Sequence, residues 1–168
     1  MRHAKSSWQD GNQPDRERPL SGRGERDAPA MARRLRARGT MPALILTSHA
    51  ARAASTARTV AAILGCDPAA VRVEPTLYLA SADAILAVVA AQNDRLAELL
   101  IVGHNPGLTH LANHLLPELA LDNLPTAGVV AIGSDAEHWT DLGRAERRLL
   151  HYDYPKNPDA ADAPSRGR

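Results

Sequence analysis

Four residues at three separate places in the chain have side chains suited to chemistry on an anion. Arg2 and His3 stand together near the start, and Arg52 and His104 each follow a short apolar run further along. Arginine stays cationic and presents a planar fork that matches phosphate oxygens. Histidine is a nitrogen nucleophile that is close to neutral at pH 7. These residue types therefore point to phosphoryl chemistry, provided that the fold brings them together.

Short apolar runs alternate along the chain with stretches in which apolar residues recur at helical spacing. A short apolar run bounded by turn residues predicts a strand, and helical spacing predicts an amphipathic helix. The pattern predicts helices over 23–38, 50–65, 82–92 and from Gly107, strands over 43–46, 71–74 and 98–102, and a final hairpin over 127–133 and 137–142. Because strands alternate with helices, we expect an α/β fold, a three-layer α/β/α sandwich with a mostly parallel central sheet.

The residues with chemical potential stand just after predicted strands. In open α/β sheets, ligands bind beyond the carboxyl ends of the strands. Arg52 falls on the first turn of the helix after one strand, and His104 falls in the turn after another. Arg2 and His3 join them if they too follow a strand. We therefore expect the four side chains to surround one phosphoryl group, with helix N-termini adding backbone donors.

Length, charge and composition exclude several classes of protein. A chain of 168 residues predicts a single domain, here 1–154, followed by a disordered tail over 155–168. The net charge of +1 argues against a general nucleic-acid binder, whose affinity would come from neutralising phosphates. No signal peptide or long apolar run is evident, so we expect a cytoplasmic protein without a membrane segment, and a monomer. The one cysteine, Cys66, excludes an internal disulfide and is expected to be a small packed residue.

The remaining histidines offer one possible metal motif. His110 and His114 have the i, i+4 spacing that can bind zinc, but no carboxylate accompanies them as in an H-E-x-x-H motif. We therefore interpret them as surface or packed residues and expect neither a metal ion nor another cofactor.

Six segments give the chain a specific family resemblance: RHAKSSW, DRERPLSGRGERDA, LILTSHAARAASTA, LYLAS, LIVGHNPGL and LPTAG, in that order from residue 2 to about 130. The chain resembles the histidine phosphatase superfamily, and within it the small SixA-type phosphohistidine phosphatases. The resemblance implies a phosphoglycerate mutase-like fold and a covalent mechanism in which His3 is transiently phosphorylated. It places Arg2, Arg52 and His104 in the phosphate pocket and makes Arg18 a further phosphate or substrate contact. Lys5 and Thr126 match the pattern without an assigned role.

The substrate is suggested by what the chain lacks. Larger members of the superfamily carry an inserted segment with a carboxylate that acts as general acid, and no such insertion precedes GHNPGL; Glu74 and Asp83 are the nearest candidates. An alkoxide leaving group needs that acid, whereas a phosphorylated imidazole leaves as neutral histidine once its other nitrogen is protonated. We therefore expect a phosphohistidine-containing protein as substrate. The alternative is a phosphatase of small phosphate esters.

The chain departs from the family at its start. A hydrophobic strand of about five or six residues precedes the Arg-His pair in the family, and here only Met1 does. Either this sequence starts downstream of the true start, which we favour, or His3 sits on a loose end. In the second case the protein would be a catalytically idle module that binds phosphate or phosphoproteins.

Overall fold

The computed structural model describes residues 1–157, and in this part of the chain helices and strands alternate. The elements are α1 (Gly22–Ala37), β1 (Leu44–Thr47), α2 (Ala51–Leu64), β2 (Val71–Val73), α3 (Ala82–Ala90), β3 (Leu99–Val102), α4 (Gly107–Leu115), β4 (Val129–Ser134) and β5 (Arg147–Asp153). Every helix and strand predicted up to α4 is present, each with ends close to those expected. The predicted C-terminal tail lies outside the described residues from residue 158 onward.

The strands form a parallel sheet and an antiparallel pair. The parallel sheet has the order β2-β1-β3, with Ile45 opposite Val71 on one side and Leu100 on the other. Strands β4 and β5 pair antiparallel. Parallel strands joined by helices, with helices over both faces, make the α/β sandwich that the sequence predicts.

The first residues of the chain lie between these two groups of strands. On one side, the His3 amide donates to the Gly103 carbonyl at 3.0 Å and the Gly103 amide donates to Met1 at 3.2 Å. On the other side, the Arg2 amide donates to Gly128 at 2.9 Å, and the Ala127 amide donates to His3 at 3.1 Å. The backbone of His3 is therefore held from both sides, and the alternative of a loose His3 is wrong for this structure.

Two apolar clusters flank the parallel sheet. On one face, α1 and α2 pack their buried side chains, among them Met31 and Val60, against Ile45 and Val102. On the other face, Leu46 packs with Ile85 of α3 and Leu108 of α4. Alternate residues of β1 thus face opposite clusters, as expected for a strand that is buried on both sides. Cys66 packs half-buried against the first cluster, as expected for a small packed residue.

Close approach of backbone segments explains two glycines near the start of helices. A Cβ on Gly24 would lie 2.1 Å from the carbonyl oxygen of Lys5, and a Cβ on Gly107 would lie 1.8 Å from that of Ala80. Only glycine fits at such distances. Gly24 therefore allows α1 to begin against the segment that carries Arg2 and His3.

The predicted second strand of the hairpin is wrong. Residues 137–142 hold a 3-10 turn, Trp139–Asp141, and β4 pairs instead with β5. Asp94 fixes the turn, because its carboxylate accepts from the Trp139 amide at 2.8 Å and lies 2.9 Å from Nδ1 of His138. The end of β5 is fixed by Asp153, a buried carboxylate that accepts from Arg34 of α1 at 3.1 Å and from Arg38, which caps the end of that helix, at 3.2 Å.

Candidate active site

His3 is held as a neutral imidazole whose Nε2 is unprotonated. Its Nδ1 lies 2.7 Å from the carbonyl oxygen of Ala4. Because a carbonyl can only accept, Nδ1 carries the proton and Nε2 keeps its lone pair. Burial, aided by the charges of Arg52 and Arg2, outweighs the hydrogen bond to Ala4 and lowers the pKa of His3 to about 4. The ring is therefore neutral at pH 7, with Nε2 in the form that a nucleophile requires.

Arg52 connects His3 to an acidic residue of another loop. It stands on the first turn of α2 and is buried, with its Nε 3.3 Å from Nε2 of His3. Its two terminal nitrogens donate to Asp15, one to the carbonyl oxygen at 2.5 Å and one to Oδ2 at 2.8 Å. One guanidinium thus spans the distance from His3 to Asp15, and its orientation is fixed from both ends.

His104 faces His3 from the end of β3. The two ring centroids are 5.0 Å apart, and Nε2 of His104 lies 2.6 Å from the hydroxyl of Ser48, which follows β1. Nδ1 of His104 is buried without a hydrogen-bond partner among the described residues. Burial, followed by His3 and Arg52, lowers the pKa of His104 to about 3. The ring is therefore neutral at pH 7 and has one nitrogen free for a ligand.

Arg2 and Arg18 complete the cationic side of the site. Arg2 donates to the carbonyl of Leu124 at 2.8 Å, while its buried Nε has no partner among residues 1–157. Arg18 donates to Oγ of Ser6 at 2.6 Å and to Oδ1 of Asp15 at 2.8 Å. The structure thus brings together all five residues that the sequence analysis assigned to the site.

These five side chains line an open pocket of about 250 Å³. The other lining residues are Lys5, Ser6, Trp8, Leu79, Asn105 and Thr126. None of the described lining residues is acidic, so the pocket presents arginine and lysine nitrogens and two neutral imidazoles. Such a lining suits a small anion with several oxygens. A larger groove of about 350 Å³, between α2 and β2, contains none of the five predicted residues.

Three residues that support the site were not predicted. Asp15 accepts hydrogen bonds from Arg18, Arg52 and, at 2.7 Å, the hydroxyl of Tyr78. Ser48 bonds His104. Asp15 precedes Arg18 by three residues in the segment DRERPLSGRGERDA, and Tyr78 lies in the segment LYLAS. Both residues therefore stand in segments that carry the family resemblance. Their contacts join positions far apart in the sequence, which no local pattern reveals.

Other candidates from the sequence lie elsewhere. The carboxylate of Glu74 accepts from the amide and hydroxyl of Thr76, and Asp83 is exposed on α3; neither lines the pocket. His110 and His114 are exposed on α4. Within residues 1–157, no group of three or more histidine, cysteine, aspartate or glutamate residues is arranged to hold a metal ion. No helix of this part of the chain has the length and hydropathy needed to cross a membrane.

Comparison with known proteins adds independent findings. Residues 1–78 match the model of the histidine phosphatase superfamily (branch 1). An uncharacterised protein of Mycobacterium tuberculosis is 34% identical over 167 residues, which cover 93% of this chain and 100% of the relative. A solved structure assigned as phosphohistidine phosphatase SixA from Nakamurella multipartitia has a TM-score of 0.74 and 28% identity, with 94% of both chains covered. Another so assigned, from Agrobacterium tumefaciens, has a TM-score of 0.77 and 26% identity, covering 92% of this chain and 94% of that one.

A parallel sheet between two helical layers, with this pocket at the carboxyl ends of its strands, defines a phosphoglycerate mutase-like α/β protein. Within that class, the chain belongs to the histidine phosphatase superfamily and is of the SixA type. The protein is accordingly a phosphatase. The family and fold class expected from the sequence are confirmed.

Proposed function

We propose that the protein is a phosphohistidine phosphatase that forms a covalent phosphoenzyme on His3. The observation that carries the proposal is a pocket in which His3 presents an unprotonated Nε2 beside four cationic side chains, with no carboxylate among the described lining residues. The nitrogen supplies the nucleophile. The cations stabilise the phosphoryl group. Because no described carboxyl group of the lining can protonate a leaving group, the pocket favours a substrate whose leaving group needs no such proton.

The reaction proceeds in two displacements. The lone pair on Nε2 of His3 attacks phosphorus while the bond from phosphorus to the substrate nitrogen breaks, and its electron pair stays with the leaving imidazole. Water then attacks the phosphorus on His3, releasing phosphate and returning the electron pair to Nε2. The proton on Nδ1, held by the carbonyl of Ala4, keeps Nε2 as the reacting atom in both steps.

Charge in the transition state spreads over the three equatorial phosphoryl oxygens. Arg2, Arg52 and Arg18 supply fixed donors there, and Nδ1 of His104 supplies another in the tautomer in which the Ser48 hydroxyl donates to Nε2 and Nδ1 carries the proton. Helices α2 and α4, which begin beside Arg52 and His104, have no side-chain N-cap, whereas Ser21 caps α1 and Ser81 caps α3. Uncapped N-termini favour an anion, so they add to the stabilisation.

The protonation state of Asp15, the acidic residue that contacts Arg18 and Arg52, supports phosphohistidine as the substrate. Hydrogen bonds from Tyr78 and Arg52, together with the charges of Arg52 and Arg18, outweigh burial and lower the pKa of Asp15 to about 2. Asp15 is therefore ionised at neutral pH and has no proton to give to an alkoxide. A phosphorylated imidazole with a protonated second nitrogen needs no such donor. Small phosphate esters with poor leaving groups should react more slowly.

The proposal extends to the setting of the enzyme. We infer a single domain over 1–154 that acts as a cytoplasmic monomer on a phosphohistidine-containing protein, without a metal ion, nucleic acid or membrane as partner. The arginine side chains of the pocket support a metal-independent reaction, because they supply the positive charge that a metal ion would otherwise bring to the phosphoryl oxygens.

Quenched single-turnover labelling tests the mechanism. The full chain is mixed with a phosphohistidine peptide carrying ³²P, stopped in alkali and separated from free label. Acid-labile, alkali-stable label should appear on the wild type and be absent from His3→Ala. The matched control is His114→Ala, which removes an exposed histidine of α4 and should retain the label.

Three outcomes would contradict the proposal. Equal labelling of His3→Ala would exclude His3 as nucleophile. Turnover of an alkyl phosphate as fast as the phosphohistidine peptide would favour a phosphatase of small esters. Binding of the peptide without labelling or phosphate release would make the protein an idle phosphate-binding module.

A further inference from the structure

Two large apolar side chains stand exposed at the mouth of the pocket. Trp8 is 71% exposed and Leu79 is 56% exposed, and both line the pocket that holds His3. The other large apolar side chains that residues 1–157 leave exposed, Met41, Val73, Leu149 and Leu150, line no part of it. An apolar rim on an otherwise cationic pocket is not needed to bind phosphate, so it calls for another ligand group.

Trp8 is exposed but firmly positioned. The guanidinium carbon of Arg18 lies 3.2 Å from the centre of the Trp8 ring. Arg18 is itself buried and hydrogen-bonded to Ser6, Ser7 and Asp15. One face of the indole therefore rests on a fixed support. Because Trp8 is 71% exposed, its indole keeps surface that can stack on a flat ring.

Leu79 is displayed by an unusual backbone conformation. Its φ is +50°, in the left-handed region that bulky residues avoid. Such strain concentrates at ligand sites, where the surrounding structure holds a residue against its own preference. Leu79 follows Tyr78, whose hydroxyl is bonded to Asp15, so the strained residue is anchored to the network that holds Arg52.

We propose that Trp8 and Leu79 bind the imidazole ring of the substrate's phosphohistidine, an inference that rests on the proposed function. In-line attack by Nε2 of His3 places the leaving group on the far side of phosphorus, away from the pocket floor and toward the exposed rim. The protonated imidazole is a flat cation, and tryptophan is the side chain that best binds a cation over its ring face. Trp8 and Leu79 are thus specificity-determining residues for ring-bearing substrates.

Two small substrates that differ in the ring test the inference. Phosphoimidazole carries the ring and phosphoramidate does not, so their ratio of kcat/KM isolates the contribution of the ring. We expect Trp8→Ala to lower this ratio roughly tenfold relative to wild type, Trp8→Phe to retain most of it, and Leu79→Ala to lower it about threefold. The matched control is Met41→Ala, which removes an exposed apolar side chain remote from the pocket and should leave the ratio unchanged.

The outcomes separate this inference from the proposed function. If the wild type hydrolyses both substrates and Trp8→Ala lowers kcat/KM equally for both, Trp8 only supports Arg18 and the inference is refuted. An unchanged ratio in Trp8→Ala and Leu79→Ala refutes it as well. If the wild type hydrolyses neither substrate and forms no phosphoenzyme, the proposed function itself fails and the inference falls with it.

Discussion

Replacing Asp15 should weaken catalysis although Asp15 does not line the pocket. Its carboxylate and carbonyl oxygens accept from both terminal nitrogens of Arg52, and the carboxylate also accepts from Arg18 and Tyr78. In the proposed reaction, Asp15 is therefore a positioning residue that presents two arginines to the phosphoryl group. Asp15→Ala removes the bonds to the carboxylate and leaves in place the hydrogen bond that Arg52 donates to the backbone carbonyl of residue 15.

The size of the effect follows from the kind of bond that is lost. A hydrogen bond between charged groups contributes about 1.5–3 kcal/mol. The side chain of Asp15 is 44% exposed, and water screens its charge, so the lower end of this range applies. A loss of about 1.4 kcal/mol in transition-state stabilisation corresponds to roughly tenfold in kcat/KM. Asp15→Asn keeps an acceptor without the charge, so we expect a smaller loss of about threefold.

Steady-state hydrolysis of phosphoimidazole from pH 5 to pH 9 measures the effect. Because the pKa of Asp15 is about 2, its carboxylate is ionised across this range, and the loss in Asp15→Ala should be the same at every pH. Asp94→Asn is the matched control, since Asp94 also pairs with a basic residue but lies against Trp139. Wild-type kcat/KM in Asp15→Ala, with the fold intact by circular dichroism, would refute the positioning role.

Three further predictions concern the same site and its support. Ser48→Ala leaves neither ring nitrogen of His104 with a partner among the described residues, so kcat/KM for phosphoimidazole should fall roughly five- to 150-fold, the equivalent of about 1–3 kcal/mol; unchanged kinetics would contradict this. Gly24→Ala should lower the Tm by several degrees because its Cβ would lie 2.1 Å from a backbone oxygen, whereas Gly22→Ala should not, because its Cβ would meet only Nη1 of Arg26 at an ordinary 3.7 Å; equal melting of the two variants would contradict the packing argument. Burial lowers the pKa of His3 from 6.5 to about 4, so below pH 6.5 the unfolded chain binds a proton that the folded chain does not. The free energy of unfolding should therefore lose roughly 3 kcal/mol from this residue as the pH falls from 6.5 to 4, measured by urea titration. His3→Gln should show a correspondingly shallower pH dependence, and equal slopes would contradict the assignment.

The order of helices and strands was predictable up to α4 because each element carries its own local signal. Helical spacing of apolar residues marks α1, and short apolar runs mark β1 and β3. The final strand was mispredicted because 137–142 and 147–153 both contain apolar residues beside polar ones. The choice between them depends on Asp94, which holds the first segment as a turn, and on Asp153, which ties the second to α1.

The sequence by itself predicted which residues meet at the candidate site, because Arg52 and His104 each come within a few residues of the end of a strand, and the carboxyl ends of these strands meet at one edge of a parallel sheet. Only the tertiary structure decided how those residues are held. Asp15 reaches Arg52 across 37 positions and Ser48 reaches His104 across 56, and such contacts have no periodicity in the sequence. The protonation of His3 was decided in the same way. Its tautomer depends on the contact of Nδ1 with the Ala4 carbonyl, and its neutral charge depends on burial of the ring, and the folded structure supplies both.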